Sequence, residues 1–241
     1  MKKCLITLIG ECFREGVNQS RITDTMFGYN KQYESTYTHN KLINKLKTLN
    51  YNVDIAINTY KTKYKEELLS MYSHIIYFNF TDENYEYYQN VVHKSLQNIL
   101  NNVNYNDYEF IFVLRFDLFL KDTLIDIFNP KWTKIMYPFA VYMEKIPFAF
   151  PFVSDTMCFI PNKYFLKLIT NNTTYYLLHH HCWRDLINQG FILDDLDVMI
   201  NTLHNPNTMA EMNPLYKINC REEFNKHFLI GIYDKSINTI L

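Results

Sequence analysis

The stretch EFIFVLRFDLFLKD, residues 109–122, decides the fold. It is an apolar run rich in β-branched and aromatic residues that closes on an arginine and an aspartate set two apart, Arg115 and Asp117. A short continuous run of this composition reads as a strand buried on both faces, the kind found inside a parallel sheet. A charge taken out of water costs several kcal/mol unless it is paired or employed, so the two charged residues need a reason. In a strand, residues i and i+2 point to the same side. Arg115 and Asp117 therefore share a face, and Leu114, Phe116 and Leu118 pack on the other.

Working outward, the residues before this run repeat a pattern. KCLITLI, 3–9, is a short apolar run ending in Gly10, and it predicts a buried strand. A polar, irregular segment follows to about residue 28. From Asn30 to Leu49 the apolar positions Tyr33, Tyr37, Ile43, Leu46 and Leu49 recur at helical spacing. YNVDIAINTY, 51–60, alternates with period two and predicts a second strand. KYKEELLSMY predicts a short helix and SHIIYFNF a third strand. Residues 84–103 place Val91, Val92, Ser95, Leu96, Ile99, Leu100 and Val103 on one helical stripe. The opening stretch is then strand four. Strand and helix in strict alternation predict an α/β fold, Rossmann-like, with a mostly parallel sheet flanked by helices and right-handed crossovers.

After residue 120 the pattern loosens. WTKIMYPF, DTMCFIP and NPLYKIN read as strands; NKYFLKLIT and YYLLHHHCWRDLINQ read as helices. No internal repeat or low-complexity linker divides the chain, so 1–241 is read as one domain.

Composition limits what such a domain can do. The 241 residues, 48% hydrophobic and 17% aromatic, suffice for a sizeable core. A formal net charge of -1 supplies no general field for nucleic acid or anionic lipid, so any anion must be bound locally. Five cysteines without a CxxC pair suggest neither a disulfide framework nor a zinc ribbon, and they point to a reducing compartment such as the cytoplasm. The first apolar run stops at Gly10 with no cleavage-site pattern. MYPFAVYMEKIPFAFPFV is broken by Glu144, Lys145 and three prolines, short of the roughly 20 apolar residues that span a bilayer. HHHC, 179–182, reads as structural histidines rather than a zinc set, because neighbours on a helix point about 100° apart and zinc would need ligands spaced i, i+4 or from elsewhere.

In open parallel sheets, ligands bind beyond the carboxyl ends of the strands. Strand one ends in GECFREG, strand two in INTYKT and strand four in Arg115 and Asp117. Topology thus brings Gly10, Arg14, Asn58, Thr59, Tyr60, Arg115 and Asp117 toward one rim. There is no GxGxxG and no GxxxxGK[ST], which weakens dinucleotide and P-loop readings. Arginines near strand ends and an aspartate suit a diphosphate and a divalent ion, since guanidinium forks match phosphate oxygens and magnesium takes carboxylate plus phosphate ligands.

ITLIGECFREG, VDIAINTYKT and YEFIFVLRFDLFL together resemble a group of nucleotide-sugar-dependent glycosyltransferases of the GT-A fold, found in bacterial polysaccharide clusters and large DNA viruses. The resemblance covers roughly residues 3–165. It implies a UDP-, GDP- or TDP-sugar donor, a glycan or other acceptor, and Mn2+ or Mg2+ as cofactor. It also implies a nucleotide-binding half, 1–120, and an acceptor-side half, 121–241, with the protein in the cytoplasm, that of the host if viral. In that group the strand-terminal R-x-D resembles the DxD whose acidic residues hold a metal against the donor diphosphate. Asp117 would take the metal or sugar role, and Arg115 stands where the first acidic residue would be. FVSDTMCFIPNKYF is similar to the segment that lines the acceptor side, which makes Asp155 a candidate base. An inverting transferase needs a carboxylate to take the acceptor proton. Asp194, Asp195 and Asp197 in LDDLDVMIN are alternatives, of which Asp195 is the favoured one, and the same DDLD run also reads as a helix N-terminus.

Three readings follow: a glycosyltransferase, a non-catalytic glycan- or nucleotide-sugar-binding protein on the same fold, and a nucleotidyltransferase. The last expects a glycine-rich first loop that this chain lacks. Within any of them, Arg115 and Asp117 could be a purely structural ion pair.

Overall fold

The computed structural model describes residues 1–13, 25–81, 88–138, 140–141, 152–153, 156–170, 177, 182–200 and 215–218. Strands β1 (Lys2–Gly10), β2 (Tyr51–Tyr60), β3 (Ile75–Thr81) and β4 (Phe110–Arg115) follow the alternation read from the sequence. The helices between them are α1 (Thr25–Thr48), α2 (Lys65–Ser70) and α3 (Tyr88–Asn102). These four strands are mutually parallel, with β1 between β2 and β4, and β3 outside β2. Three further strands complete a seven-stranded sheet. β9 (Met157–Pro161) runs antiparallel to β4 and to β6 (Ile135–Tyr137), and β10 (Leu196–Val198) pairs parallel with β6 at the edge. The order is β10-β6-β9-β4-β1-β2-β3, an α/β architecture with a mostly parallel sheet.

Both faces of the sheet are covered, as continuous apolar strands require. On one face Leu42, Ile43 and Leu46 of α1 and Leu68 of α2 pack with Ile6, Leu8, Val53, Ile55 and Phe112. The same face takes Leu124 and Ile125 of α4 (Asp122–Ile127). On the other, Leu96, Ile99 and Leu100 of α3 meet Leu5, Ile9, Ala56 and Ile111. α5 (Phe165–Thr170) and α6 (Cys182–Asn188) extend this second layer through Phe165, Leu168 and Leu186.

Several expectations are corrected. Strand four stops at Arg115; Phe116 and Asp117 form a turn, and β5 (Leu118–Leu120) leaves the main sheet to pair antiparallel with β11 (Tyr216–Ile218). The buried stripe of α1 is only in part the one expected: Ile43 and Leu46 are buried, but Tyr33, Tyr37 and Leu49 are exposed while Gln32, Ser35, Thr36, Thr38 and His39 are buried. Periodicity counts tyrosine as apolar, but a phenol tolerates water, and the polar side chains turn inward to meet loop backbone. The DDLD run makes a single 3-10 turn over Leu193–Asp195 and then enters β10 rather than opening an α-helix. A two-stranded ribbon of β7 (Ala140–Val141) and β8 (Phe152–Val153) stands apart from the main sheet.

Candidate functional site

The chain leaves β1 toward β2 on one side and returns from β3 to β4 on the other. The topological switch point, where open sheets bind ligands, therefore lies between the carboxyl ends of β1 and β4. The register places Gly10 beside Thr59 and Ile9 beside Arg115. Gly10 turns the chain at φ +87°, a left-handed conformation natural to glycine. Thr59 Oγ1 donates to the Gly10 carbonyl at 2.8 Å and accepts from Cys12 N–H at 3.3 Å, which ties the first loop to β2. Phe13 follows at φ +56°, uncommon for a bulky residue. It is buried, and its N–H donates to Gln32 Oε1 at 3.2 Å.

Arg115 and Asp117 form a bidentate pair. Arg115 Nε donates to Asp117 Oδ1 at 3.0 Å and Nη2 to Oδ2 at 2.6 Å. Relative exposure is 3% for Arg115 and 4% for Asp117, so the pair is almost sealed from water. Forked geometry of this kind is the strong form of the carboxylate–guanidinium contact.

The turn carrying Asp117 is pinned at successive points. Phe116 N–H donates to Ile9 O at 3.2 Å, and Phe116 O accepts from Gln32 Nε2 at 3.4 Å. Leu118 O lies 2.8 Å from His39 Nε2, and Leu120 N–H donates to Thr38 Oγ1 at 2.9 Å. A carbonyl only accepts, so His39 carries its proton on Nε2. Nδ1 then accepts from Tyr72 OH at 3.0 Å, Tyr72 OH accepts from Thr36 Oγ1 at 3.1 Å, and Thr36 Oγ1 accepts from Gln32 Nε2 at 3.3 Å. Every buried polar group in that chain has its partner. Burial lowers the His39 pKa from 6.5 to about 4, against the opposing pull of Leu118 O and Asp117, and keeps the imidazole neutral. Burial likewise pushes the Cys4 and Cys158 thiols well up, so neither offers a ready nucleophile.

Of the residues singled out from the sequence, Gly10, Thr59, Arg115 and Asp117 are brought together. Tyr60, one residue past Thr59, pairs with Thr81 at the end of β2 and is half-buried. Asn58 is fully buried and donates to Ser95 Oγ at 2.7 Å, while its Oδ1 accepts from Asn79 Nδ2 at 2.8 Å, so its amide braces α3 and β3. Asp195 is not brought to this rim. It precedes β10, level with the amino ends of the parallel strands, and accepts from Tyr164 OH at 2.9 Å and Ile192 N–H at 3.1 Å. Arg14, Asp155 and His179–His181 lie outside the described residues.

A divalent ion needs carboxylate oxygens available to coordinate it. Both oxygens of Asp117 are committed to the Arg115 fork, and a guanidinium beside the site repels a dication. Among the described residues no group of three or more His, Cys, Asp or Glu side chains is placed to hold a metal. As arranged, the pair does not fit the metal role expected of Asp117. Among the same residues no helix is long and apolar enough to cross a membrane.

Sequence reading missed Gln32, Thr38 and His39. The available signal was their spacing: Gln32, Ser35, Thr36 and His39 fall on the same helical stripe as Leu42, Ile43 and Leu46.

No protein-family model matches the sequence, and no curated protein does. Among solved structures, the chain is similar to a candidate nucleotide-diphospho-sugar transferase from Desulfovibrio desulfuricans G20, at 8% identity over 96% of this chain and 95% of that one, TM-score 0.48. It is also similar to a glycosyltransferase involved in glycosylation of the major capsid of PBCV-1, at 12% identity over 93% and 98%, TM-score 0.44. A third is the 4-diphosphocytidyl-2C-methyl-D-erythritol synthase of Anaerococcus prevotii DSM 20548, at 10% identity over 96% of each chain, TM-score 0.47. These likenesses concern architecture alone.

Proposed function

We propose that this protein is a nucleotide-sugar-dependent glycosyltransferase that moves a sugar from a nucleoside diphosphate donor to a hydroxyl of a glycan or other acceptor. The observation that carries the reading is the placement of Gly10, Thr59 and the R-x-D pair at the β1/β4 switch point. On this reading residues 1–120 receive the donor and residues 121–241 the acceptor, with Arg14 and Tyr60 as further donor contacts. The acceptor oxygen forms its bond to the anomeric carbon as the bond from that carbon to the diphosphate breaks. Asp155 takes the hydroxyl proton, and the nucleoside diphosphate leaves with the bonding electrons, stabilised by guanidinium charge. Among the described residues, Cys4, Cys12, Cys158 and Cys182 are buried and form no disulfide, which fits a reducing cytoplasm.

The test is a thermal-shift screen with UDP-, GDP- and TDP-sugars, followed by product analysis with any donor that stabilises the protein. Release of the nucleoside diphosphate supports sugar transfer. Release of pyrophosphate from a nucleoside triphosphate assigns nucleotidyl transfer instead, and no stabilisation by any nucleotide sinks the proposal. One observation favours a second reading, a nucleotide-sugar-binding protein without turnover: among the described candidate residues, the carboxylate at the rim, Asp117, is closed on Arg115. Donor binding with no product from any acceptor or from water would select it.

A further inference from the structure

We propose that the R-x-D site takes its nucleotide diphosphate without a divalent cation, Asp117 serving to hold the Arg115 guanidinium in place rather than to hold a metal. The inference rests on the donor-binding reading above and specifies how that site meets the diphosphate charge. To coordinate an ion, Asp117 would have to release both bonds from Arg115, at 3.0 and 2.6 Å, and give up the forked ion pair of a guanidinium at 3% exposure. The backbone gives it little room to do so. Phe116 is held from both sides by Ile9 O and Gln32, Leu118 O by His39, and Leu120 N by Thr38, with only Asp117 and Phe119 between the pinned positions. The α1 side chains that make these contacts are themselves joined through Thr36 and Tyr72. A displacement of the backbone that carries Asp117 therefore strains a connected network and not a free loop. The guanidinium at the switch point is part of the chain and its Nε/Nη2 fork is closed on Asp117, so the pair presents no vacant carboxylate oxygen through which a cation could bridge to a diphosphate.

Two measurements on the unmodified protein test this. Titration with Mn2+ alone, followed by electron paramagnetic resonance, should show no tightly bound ion; one ion held at micromolar Kd, and lost in Asp117→Asn, overturns the inference. Calorimetric titration with UDP-glucose, GDP-mannose and TDP-glucose, each in EDTA and in MnCl2, should give a Kd for the bound nucleotide that agrees within about threefold between buffers. Affinity more than about tenfold tighter in manganese overturns the inference and leaves the glycosyltransferase reading standing. Binding in neither buffer removes that reading and the inference with it. Arg115→Lys keeps the charge and loses the fork, so it should weaken binding in EDTA while manganese restores nothing; rescue by manganese counts against the proposal.

Discussion

Separating Arg115 from Asp117 is the most informative perturbation of this fold. In Asp117→Asn, a guanidinium at 3% exposure keeps its charge and loses the forked carboxylate of Asp117. Orphaning one partner of a buried pair costs about 3–5 kcal/mol, most of it the penalty of the stranded charge. Arg115→Met strands the carboxylate instead, and at neutral pH should cost a similar amount. The double variant Arg115→Met, Asp117→Asn leaves no orphaned charge of the pair, so its cost should fall well below the sum of the singles, each of which carries the penalty of a buried charge without its forked partner. With a urea m-value of about 3 kcal/mol/M for a chain of this size, each single variant should shift the midpoint down by about 1–2 M. The pH dependence separates the two singles. On acidification the orphaned Asp117 can take a proton, so the Arg115→Met penalty should shrink, whereas arginine cannot lose its proton and the Asp117→Asn penalty should persist. Equilibrium urea unfolding at neutral and mildly acid pH, with two-state behaviour checked by two probes, reads all of this. Single variants that each cost less than about 1 kcal/mol, or a double whose cost equals the sum within about 0.5 kcal/mol, would refute the picture of a sealed, coupled pair.

Three other perturbations follow from the same contacts. His39 is neutral when folded, with its pKa lowered to about 4, so between pH 6.5 and 4 the unfolded chain binds the proton first and stability falls as pH falls. The loss across that window is about 3 kcal/mol, and His39→Gln should lack it; parallel stability–pH profiles for wild type and variant would exclude the assignment. Gln32→Ala leaves buried Phe13 N–H without its acceptor and Phe116 O short of a donor, a cost of about 1–3 kcal/mol, with faster hydrogen exchange at the Phe13 amide as the site-specific readout. Gly10→Ala meets open space, with nothing within 4 Å of the added Cβ, so its cost should be that of the left-handed backbone alone, about 1–2 kcal/mol by urea unfolding.

What the sequence discloses depends on whether local pattern or distant backbone decides the structure. β1, β2 and β4 were legible because both faces are buried and the residues are β-branched or aromatic, so no register ambiguity arises; β3, an edge strand with Ile76 exposed, was legible from its β-branched and aromatic run alone. The Leu96, Ile99, Leu100 stripe of α3 was legible for the same local reason. The Phe116–Asp117 turn was hidden, because LRFDLFL keeps its apolar alternation while the chain changes sheets, and only the distant partner strand β11 declares it. β10, three residues long at a sheet edge, follows a run of acids that looks like a helix start. Gly10, Thr59, Arg115 and Asp117 could be placed from topology because the carboxyl ends of parallel strands share one rim. Asn58 could not be told from them, since nothing local says that its amide faces Ser95 and Asn79.

The polar half of α1 has the same origin as the site itself. A doubly wound sheet leaves loops at the carboxyl ends of its strands, and their backbone groups are buried there without ladder partners. Those groups have to be satisfied by side chains or left at a cost. α1 starts at the rim, after β1, and runs down the sheet to the start of β2. Its first buried stretch, Gln32 to His39, therefore passes the loops, and its second, Leu42 to Leu46, passes strand faces that are already hydrogen-bonded. The change from polar to apolar along one buried stripe reports which end of the sheet carries loops that must be held still. Gln32 touches both the first loop, at Phe13, and the R-x-D turn, at Phe116. That double contact fixes the distance between the two walls of the switch point, so the width of the crevice is set by a helix that a binary pattern would class as poorly amphipathic.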